Sequence, residues 1–231
     1  MSITLVTLLV SSNLLNVILL LLIVFQWFRD IVRESMSGHH TILVQKGILL
    51  GFLLFLVSEI MLFFSFFWSY FHSSLVPTIE LALIWPPLGI NAVSPWGLPL
   101  LGSIILLASG FLVTLSHHAL ILGNKNLSIT HLILTIILGL FFIYLQSTEY
   151  YYSEFTISDS VFGSVFYMTT GLHALHVIIG VIFLFVQLIR LMFDHFTLEH
   201  HLGYEFAIFY WHLVDIVWLF VFLTYYWWGS I

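Results

Sequence analysis

Apolar runs follow one another along this chain with almost nothing charged between them, and that pattern leaves it only one kind of solvent. The 231 residues hold 5 basic and 11 acidic side chains, 7% charge against 61% hydrophobic residues; a soluble domain carries about 25% charge. There is too little polar surface to coat a water-soluble globule, so the surrounding medium is lipid. Lipid offers the backbone no hydrogen bonds, which leaves helices or a closed barrel. Barrel strands alternate apolar and polar residues, and the runs at 17–25 and 47–57 do not alternate. The expected fold is all-α: a polytopic bundle of transmembrane helices in a single membrane domain, 1–231.

A crossing needs about 20 mostly apolar residues. Six stretches meet that length, at roughly 3–28, 47–71, 99–122, 128–145, 161–191 and 204–228. The basic residues test the division, because Lys and Arg collect on the inner side of a membrane. Arg29, Arg33 and Lys46 flank the first link, Lys125 lies between spans three and four, and Arg190 ends span five. With six spans all five fall on one face, and Glu80, Glu149, Glu154 and Asp159 fall on the other. Both termini are then expected on the acidic, outer side. The prolines at 77, 86, 87, 95 and 99 all sit in one outer loop or at its end, where a missing N–H costs nothing. Cysteine is absent, which excludes disulfides and thiolate metal sites. No basic cluster offers itself to nucleic acid. The start lacks the pattern of a signal or transit peptide, which points to synthesis beside the membrane, in an organelle or a bacterium.

Ionisable groups inside a span cost a few kcal/mol and face the bundle or perform a task. Glu59 is the outstanding case, near the middle of span two with no basic residue close in sequence. It either exchanges protons, links two helices, or is a neutral acid donating one hydrogen bond. His173 and His176 share a face of span five. They could bind a metal or haem, but a polar stripe against another helix is the favoured reading, and no metal site is expected. Counting about 1.5 Å per residue from the basic-side ends puts Glu59, His173 and His176 at depths of roughly 18, 26 and 21 Å. His173 is expected as the partner of Glu59, with span tilt absorbing the mismatch, and His176 as the second choice. Glu205, His212 and Asp215 on span six read as a polar seam pairing with neighbouring helices, with a proton path as the alternative. The dyads His39-His40, His117-His118 and His200-His201 join the basic residues at a face that is either suited to acidic lipid headgroups or made of ordinary interfacial residues.

From Trp27 onward these segments resemble the subunit 3 family of haem-copper oxidases. The stretches that carry the likeness include Trp27-Phe28-Arg29-Asp30, Val44-Gln45-Lys46-Gly47, Ser58-Glu59, Phe66-Phe67-Trp68-Ser69-Tyr70-Phe71-His72, Trp85-Pro86-Pro87-Leu88-Gly89-Ile90 and Ser116-His117-His118-Ala119. Gly171-Leu172-His173 with His176, His200-His201-Leu202-Gly203-Tyr204-Glu205, Tyr210-Trp211-His212-Leu213-Val214-Asp215 and Tyr225-Tyr226-Trp227-Trp228-Gly229-Ser230 complete it. The order and spacing, more than any one motif, carry the resemblance.

The resemblance implies a core subunit of the oxidase that passes electrons from cytochrome c to oxygen and pumps protons. It implies a subunit that is not itself catalytic and holds no cofactor of its own, with haem and copper in partner subunits. It would pack on oxidase subunit 1 among other complex IV subunits, bind phospholipid, and support proton uptake and sustained turnover. It also implies two N-terminal helices splayed from four C-terminal ones around a lipid-filled cleft. Glu59 maps onto the family's carbodiimide-reactive carboxylate, and Arg33, Glu34, His40 and Arg190 onto its lipid-headgroup residues. The implied location is the mitochondrial inner membrane, with the bacterial plasma membrane second, basic loops on the matrix side and termini on the intermembrane-space side. The family has seven spans where six fit here, and residues 1–26 carry none of its motifs; the first helix is expected to be lost or supplied by another chain. The rival functions are a proton-coupled channel or transporter using Glu59, and a membrane cytochrome using His173, His176 or His212.

Overall fold

The computed structural model describes residues 3–198 and 200–230, with the backbone alone at 3–12 and 80. It contains six long helices: α1 (Ile3–Met36), α2 (Ile42–Leu75), α3 (Leu98–Ile121), α4 (Lys125–Tyr152), α5 (Ser160–Met192) and α6 (Leu202–Val221). The last continues through a π-helical turn, Phe222–Trp227, into a 3₁₀ turn, Trp228–Ser230. Each of the six is long and apolar enough to cross a membrane, and no strand occurs among the described residues. Several helices outrun the apolar stretches that predict them. The 34 residues of α2 would measure about 51 Å, well beyond the roughly 30 Å of hydrocarbon. Helix ends are marked by local chemistry. Pro99 sits in the first turn of α3, where its missing N–H is no loss. The Asn124 side chain accepts from Leu127 N at 3.1 Å to start α4, as N-cap residues do.

The chain divides into two compact units, Met1–Gly51 and Phe52–Ile231. In the first, α1 ends at a turn where Ser37 N and His39 N donate to Arg33 O and Glu34 O at 3.0 and 3.2 Å. Gly38 takes a left-handed φ of +78° there, the usual way a helix stops.

The second unit holds the core. Trp211, Trp218, Tyr204, Tyr225, Tyr226, Phe142 and Phe166 are all buried within it. Two tryptophans on α6 are fastened to serines on α3: Trp211 Nε1–H donates to Ser109 Oγ and Trp218 Nε1–H to Ser103 Oγ, each at 2.9 Å. The indole of Trp211 is slotted between two glycines of different helices. A Cβ at Gly139 would lie 2.8 Å from Trp211 Cη2, and one at Gly180 would lie 2.9 Å from Trp211 Cε3. The part of α2 in this unit is joined to its neighbours chiefly through rings. Phe52 stacks on Phe206 with centroids 4.3 Å apart, and Tyr70 meets Tyr225 at 4.3 Å.

The links at each end of this unit are tied to one another. At one end Lys125 Nζ pairs with Asp194 Oδ1 at 2.6 Å, joining the α3–α4 and α5–α6 links. At the other, Asn91 Nδ2 donates to Glu154 Oε2 at 2.6 Å, joining the α2–α3 and α4–α5 links.

Filling the Trp211 slot has a definite cost. Gly180→Ala is expected to destabilise the protein by about 1–3 kcal/mol, the usual cost of overpacking. The loss should shrink in a Trp211→Leu background, where the ring that clashes is gone. Unfolding by SDS titration in mixed micelles measures both.

Candidate functional site

Glu59 lies on α2 within a run of phenylalanine and leucine, and its own helix gives it nothing. The nearest hydroxyl, Ser58 Oγ, is spent on Phe55 O at 2.6 Å. Its partner comes from α5: Glu59 Oε2 is 2.7 Å from His176 Nε2, and their side chains are only 18% and 9% exposed. The other imidazole nitrogen fixes the chemistry of the pair. His176 Nδ1 sits 2.8 Å from Leu172 O. A carbonyl can only accept, so Nδ1 carries a hydrogen. In the neutral imidazole Nε2 is then a bare acceptor, and a carboxylate facing it could not bond. The short contact therefore holds one shared proton, as acid with imidazole or as carboxylate with imidazolium. Either form is neutral overall, which suits a low-dielectric site. Phe63 closes one side with its ring 5.0 Å from the imidazole, and Tyr210 lies nearly parallel at 6.4 Å.

His173, the partner expected first, is turned elsewhere. Its Nε2 faces Val214 O at 3.2 Å, and its ring packs on Trp218 and Phe142 at 5.0 and 5.7 Å. The reason is depth. One helical turn separates the two histidines, and the one closer to the depth of Glu59 receives it.

The span-six residues separate into three different links. His212 Nε2 lies 3.2 Å from Thr114 Oγ1. Asp215 is buried where α3 offers Gly110, whose Cβ would lie 2.5 Å from Asp215 Oδ2. Glu205 Oε1 is 3.4 Å from His201 Nε2. Arg190, at the end of α5, lies over the Phe196 ring at 4.4 Å and donates to Gln187 Oε1 at 3.2 Å. In the first unit, Arg33 and Glu34 are exposed in the last turns of α1, and His40 is half-buried in the link that follows.

Sequence reasoning missed the Glu149 group. On α4, Glu149 Oε1 accepts from Tyr226 Oη at 2.6 Å and from Gln146 Nε2 at 3.4 Å, all three side chains buried. Glu149 reads in sequence as a loop-side acid; the signal was Gln146, three residues earlier on the same helix face.

The family profile described as cytochrome c oxidase subunit III matches residues 2–230. This chain belongs to that family. It is 51% identical to the cytochrome c oxidase subunit 3 of Arabidopsis thaliana over 218 residues, 94% of this chain and 82% of the relative. It is 54% identical to that of Scyliorhinus canicula, over 94% of this chain and 83% of the relative. For Latimeria chalumnae the figures are 52%, 94% and 84%. A multi-pass subunit of the respiratory terminal oxidase is what this membership and the six apolar helices support. The match reaches residue 2, so residues 2–26 fall within the family match even though they carry none of the local motifs.

A shared proton makes the dyad tolerant of one substitution and not of others. Glu59→Gln keeps a donor for His176 Nε2 and is expected to cost less than about 1 kcal/mol. His176→Leu strands a buried carboxyl and should cost about 1–3 kcal/mol. The same SDS titration ranks them. If the acid carries the proton, infrared spectra should show a protonated-carboxyl stretch that disappears in Glu59→Gln.

Proposed function

We propose that this chain is a structural and modulatory core subunit of the terminal oxidase that moves electrons from cytochrome c to oxygen with proton pumping. It is not itself catalytic. Haem and copper belong to partner subunits, and the chain packs on oxidase subunit 1 within complex IV. Its place is the mitochondrial inner membrane, with basic links on the matrix side and termini on the intermembrane-space side. Phospholipid headgroups are met by Arg33, Glu34 and His40 in the first unit and by Arg190 in the second. Its contribution to turnover is to hold a neutral acid–imidazole pair, Glu59 with His176, that supports proton uptake.

One observation carries this reading: the Nε2 atoms of His173, His176 and His212 each face an oxygen of this chain, at 3.2, 2.7 and 3.2 Å. An axial haem ligand needs that nitrogen free for iron. The histidines that composition alone would offer to a cofactor are committed to helix packing, which supports redox centres lying elsewhere.

The test is made on the assembled complex. Replacing His173, His176 or His212 by Gln is expected to leave haem and copper per complex unchanged, measured by visible spectra and metal analysis. A stoichiometric loss of either from an assembled complex would overturn the reading. Glu59→Gln is expected to leave assembly intact and change the rate of turnover or its dependence on proton concentration. Unchanged turnover would reduce the pair to a structural hydrogen bond.

A further inference from the structure

Where α3 ends and α6 begins, three potential ligand atoms converge. His117 on the last turns of α3, His201 just before α6 and Glu205 in its first turn place one ligand atom each within 4.8 Å of one another. Nothing in the sequence groups them, because 84 residues separate His117 from His201. The two imidazoles meet through Nε2, 3.2 Å apart, and His201 Nε2 is 3.4 Å from Glu205 Oε1. Those are the edges of a metal tetrahedron. With zinc–nitrogen and zinc–oxygen bonds near 2.0–2.2 Å, neighbouring ligands in tetrahedral geometry stand about 3.3–3.5 Å apart.

The surroundings hold these atoms in place. His201 Nδ1 faces Thr197 O at 3.1 Å. That carbonyl takes the Nδ1 hydrogen and leaves the Nε2 lone pair directed into the cluster, the outer-shell arrangement that metal-binding histidines use. The residues next to two of the ligands are bonded to each other: Ser116 Oγ and Tyr204 Oη are 2.6 Å apart, and Ser116 also donates to Ser128 O at 2.5 Å. The backbones of His117 and Glu205 are thereby pinned. His201 is buried, and Glu205 keeps 34% of its side chain exposed, which leaves water access for a fourth ligand.

We propose that His117, His201 and Glu205 form a binding site for a divalent cation of the zinc class, clamping the C-terminal end of α3 to the N-terminal end of α6. Two imidazoles and one carboxylate suit zinc, with water in the open position. They suit magnesium and calcium poorly, since those ions prefer oxygen ligands. The proposal does not rest on the oxidase reading, because it uses only residues of this chain.

The test uses the native complex purified through a tag on this chain, stripped with a chelator and titrated with zinc ion alone. The wild type is expected to take up one zinc per copy of this chain at about micromolar concentration. X-ray absorption should find imidazole nitrogen and oxygen at about 2.0–2.1 Å. His117→Gln and His201→Gln should each abolish that equivalent, while His118→Gln, whose side chain is exposed next door, should retain it. Glu205→Gln should weaken binding by roughly tenfold or more, at least the effect of losing an outer-shell partner. Uptake only at millimolar zinc, or an equivalent that survives His201→Gln in assembled complex, overturns the proposal. If the variants fail to assemble, the wild-type stoichiometry and its absorption spectrum decide alone. A spectrum without imidazole scattering then overturns it.

Discussion

Hydrocarbon supplies no hydrogen bonds, so most polar atoms placed in this bundle are answered from within the chain, with His173 Nδ1 and Asp215 Oδ1 among the buried exceptions. Much of the sequence's polar chemistry follows from that. Hydroxyls along the helices first satisfy themselves on the preceding turn: Ser109 on Leu106 O at 2.7 Å, Thr170 on Phe166 O at 2.7 Å, Thr114 on Gly110 O at 2.9 Å. Donating backwards leaves each oxygen free to accept. Those acceptors are what fasten one helix to the next. Trp211 and Trp218 bond serines of α3, and Tyr150 meets Thr170 at 2.5 Å. Each such link between membrane helices contributes only about 0.6 kcal/mol, with an upper end near 1.7. They therefore set which faces meet, while ring packing supplies the larger part of the cohesion.

Packing in turn depends on pairing the largest side chains with the smallest. No hydrophobic force separates helix from lipid here, so close contact must do the joining. Gly139 and Gly180 admit the Trp211 indole, and Gly102 admits Phe142, whose Cε2 would lie 3.0 Å from an added Cβ. On the outward side the pattern reverses, with Ile104, Leu107, Phe111 and Ile137 more than half exposed. Both faces are apolar, which is why hydrophobicity alone cannot orient these helices. Glycine, serine and histidine positions do so.

That division explains what was legible in the sequence. The six crossings were readable because length and apolarity are one-dimensional properties, and the basic residues mark their ends. The helix ends were less so, since α4 runs on to Tyr152 through polar residues that hydropathy reads as loop. Glu59 stood out because a lone acid in hydrocarbon is costly wherever it points. Its partner was ambiguous between two histidines one turn apart, and depth, which counting residues estimates only to a few ångström, selects His176. The π-helical turn at Phe222–Trp227 left no trace in composition; within it the adjacent Tyr225 and Tyr226 are both buried, at 1% and 0% exposure. The cluster of His117, His201 and Glu205 was invisible because only the meeting of two helix ends creates it.

The mid-membrane pair and the cluster at the helix ends are built from the same part. In each, a histidine gives Nδ1–H to the carbonyl four residues earlier: His176 to Leu172 O, His201 to Thr197 O. In each, the bare Nε2 is aimed at a glutamate. What differs is access. Around Glu59, 18% exposed and faced by Phe63, the pair can reach neutrality only by holding a proton between its two members. Around Glu205, 34% exposed and with a second imidazole at 3.2 Å, there is room for a larger charge and for water to finish its coordination. The second imidazole is decisive. One histidine and one acid balance a proton. At the helix ends one imidazole Nε2–H can donate to the other Nε2 at 3.2 Å, but that proton leaves Glu205 Oε1, 3.4 Å from His201 Nε2, without a donor from the pair. A divalent cation satisfies all three ligands together. The same local hydrogen bond therefore prepares a proton site in hydrocarbon and a metal site at the helix ends, and the second imidazole, with the water access of Glu205, decides between them.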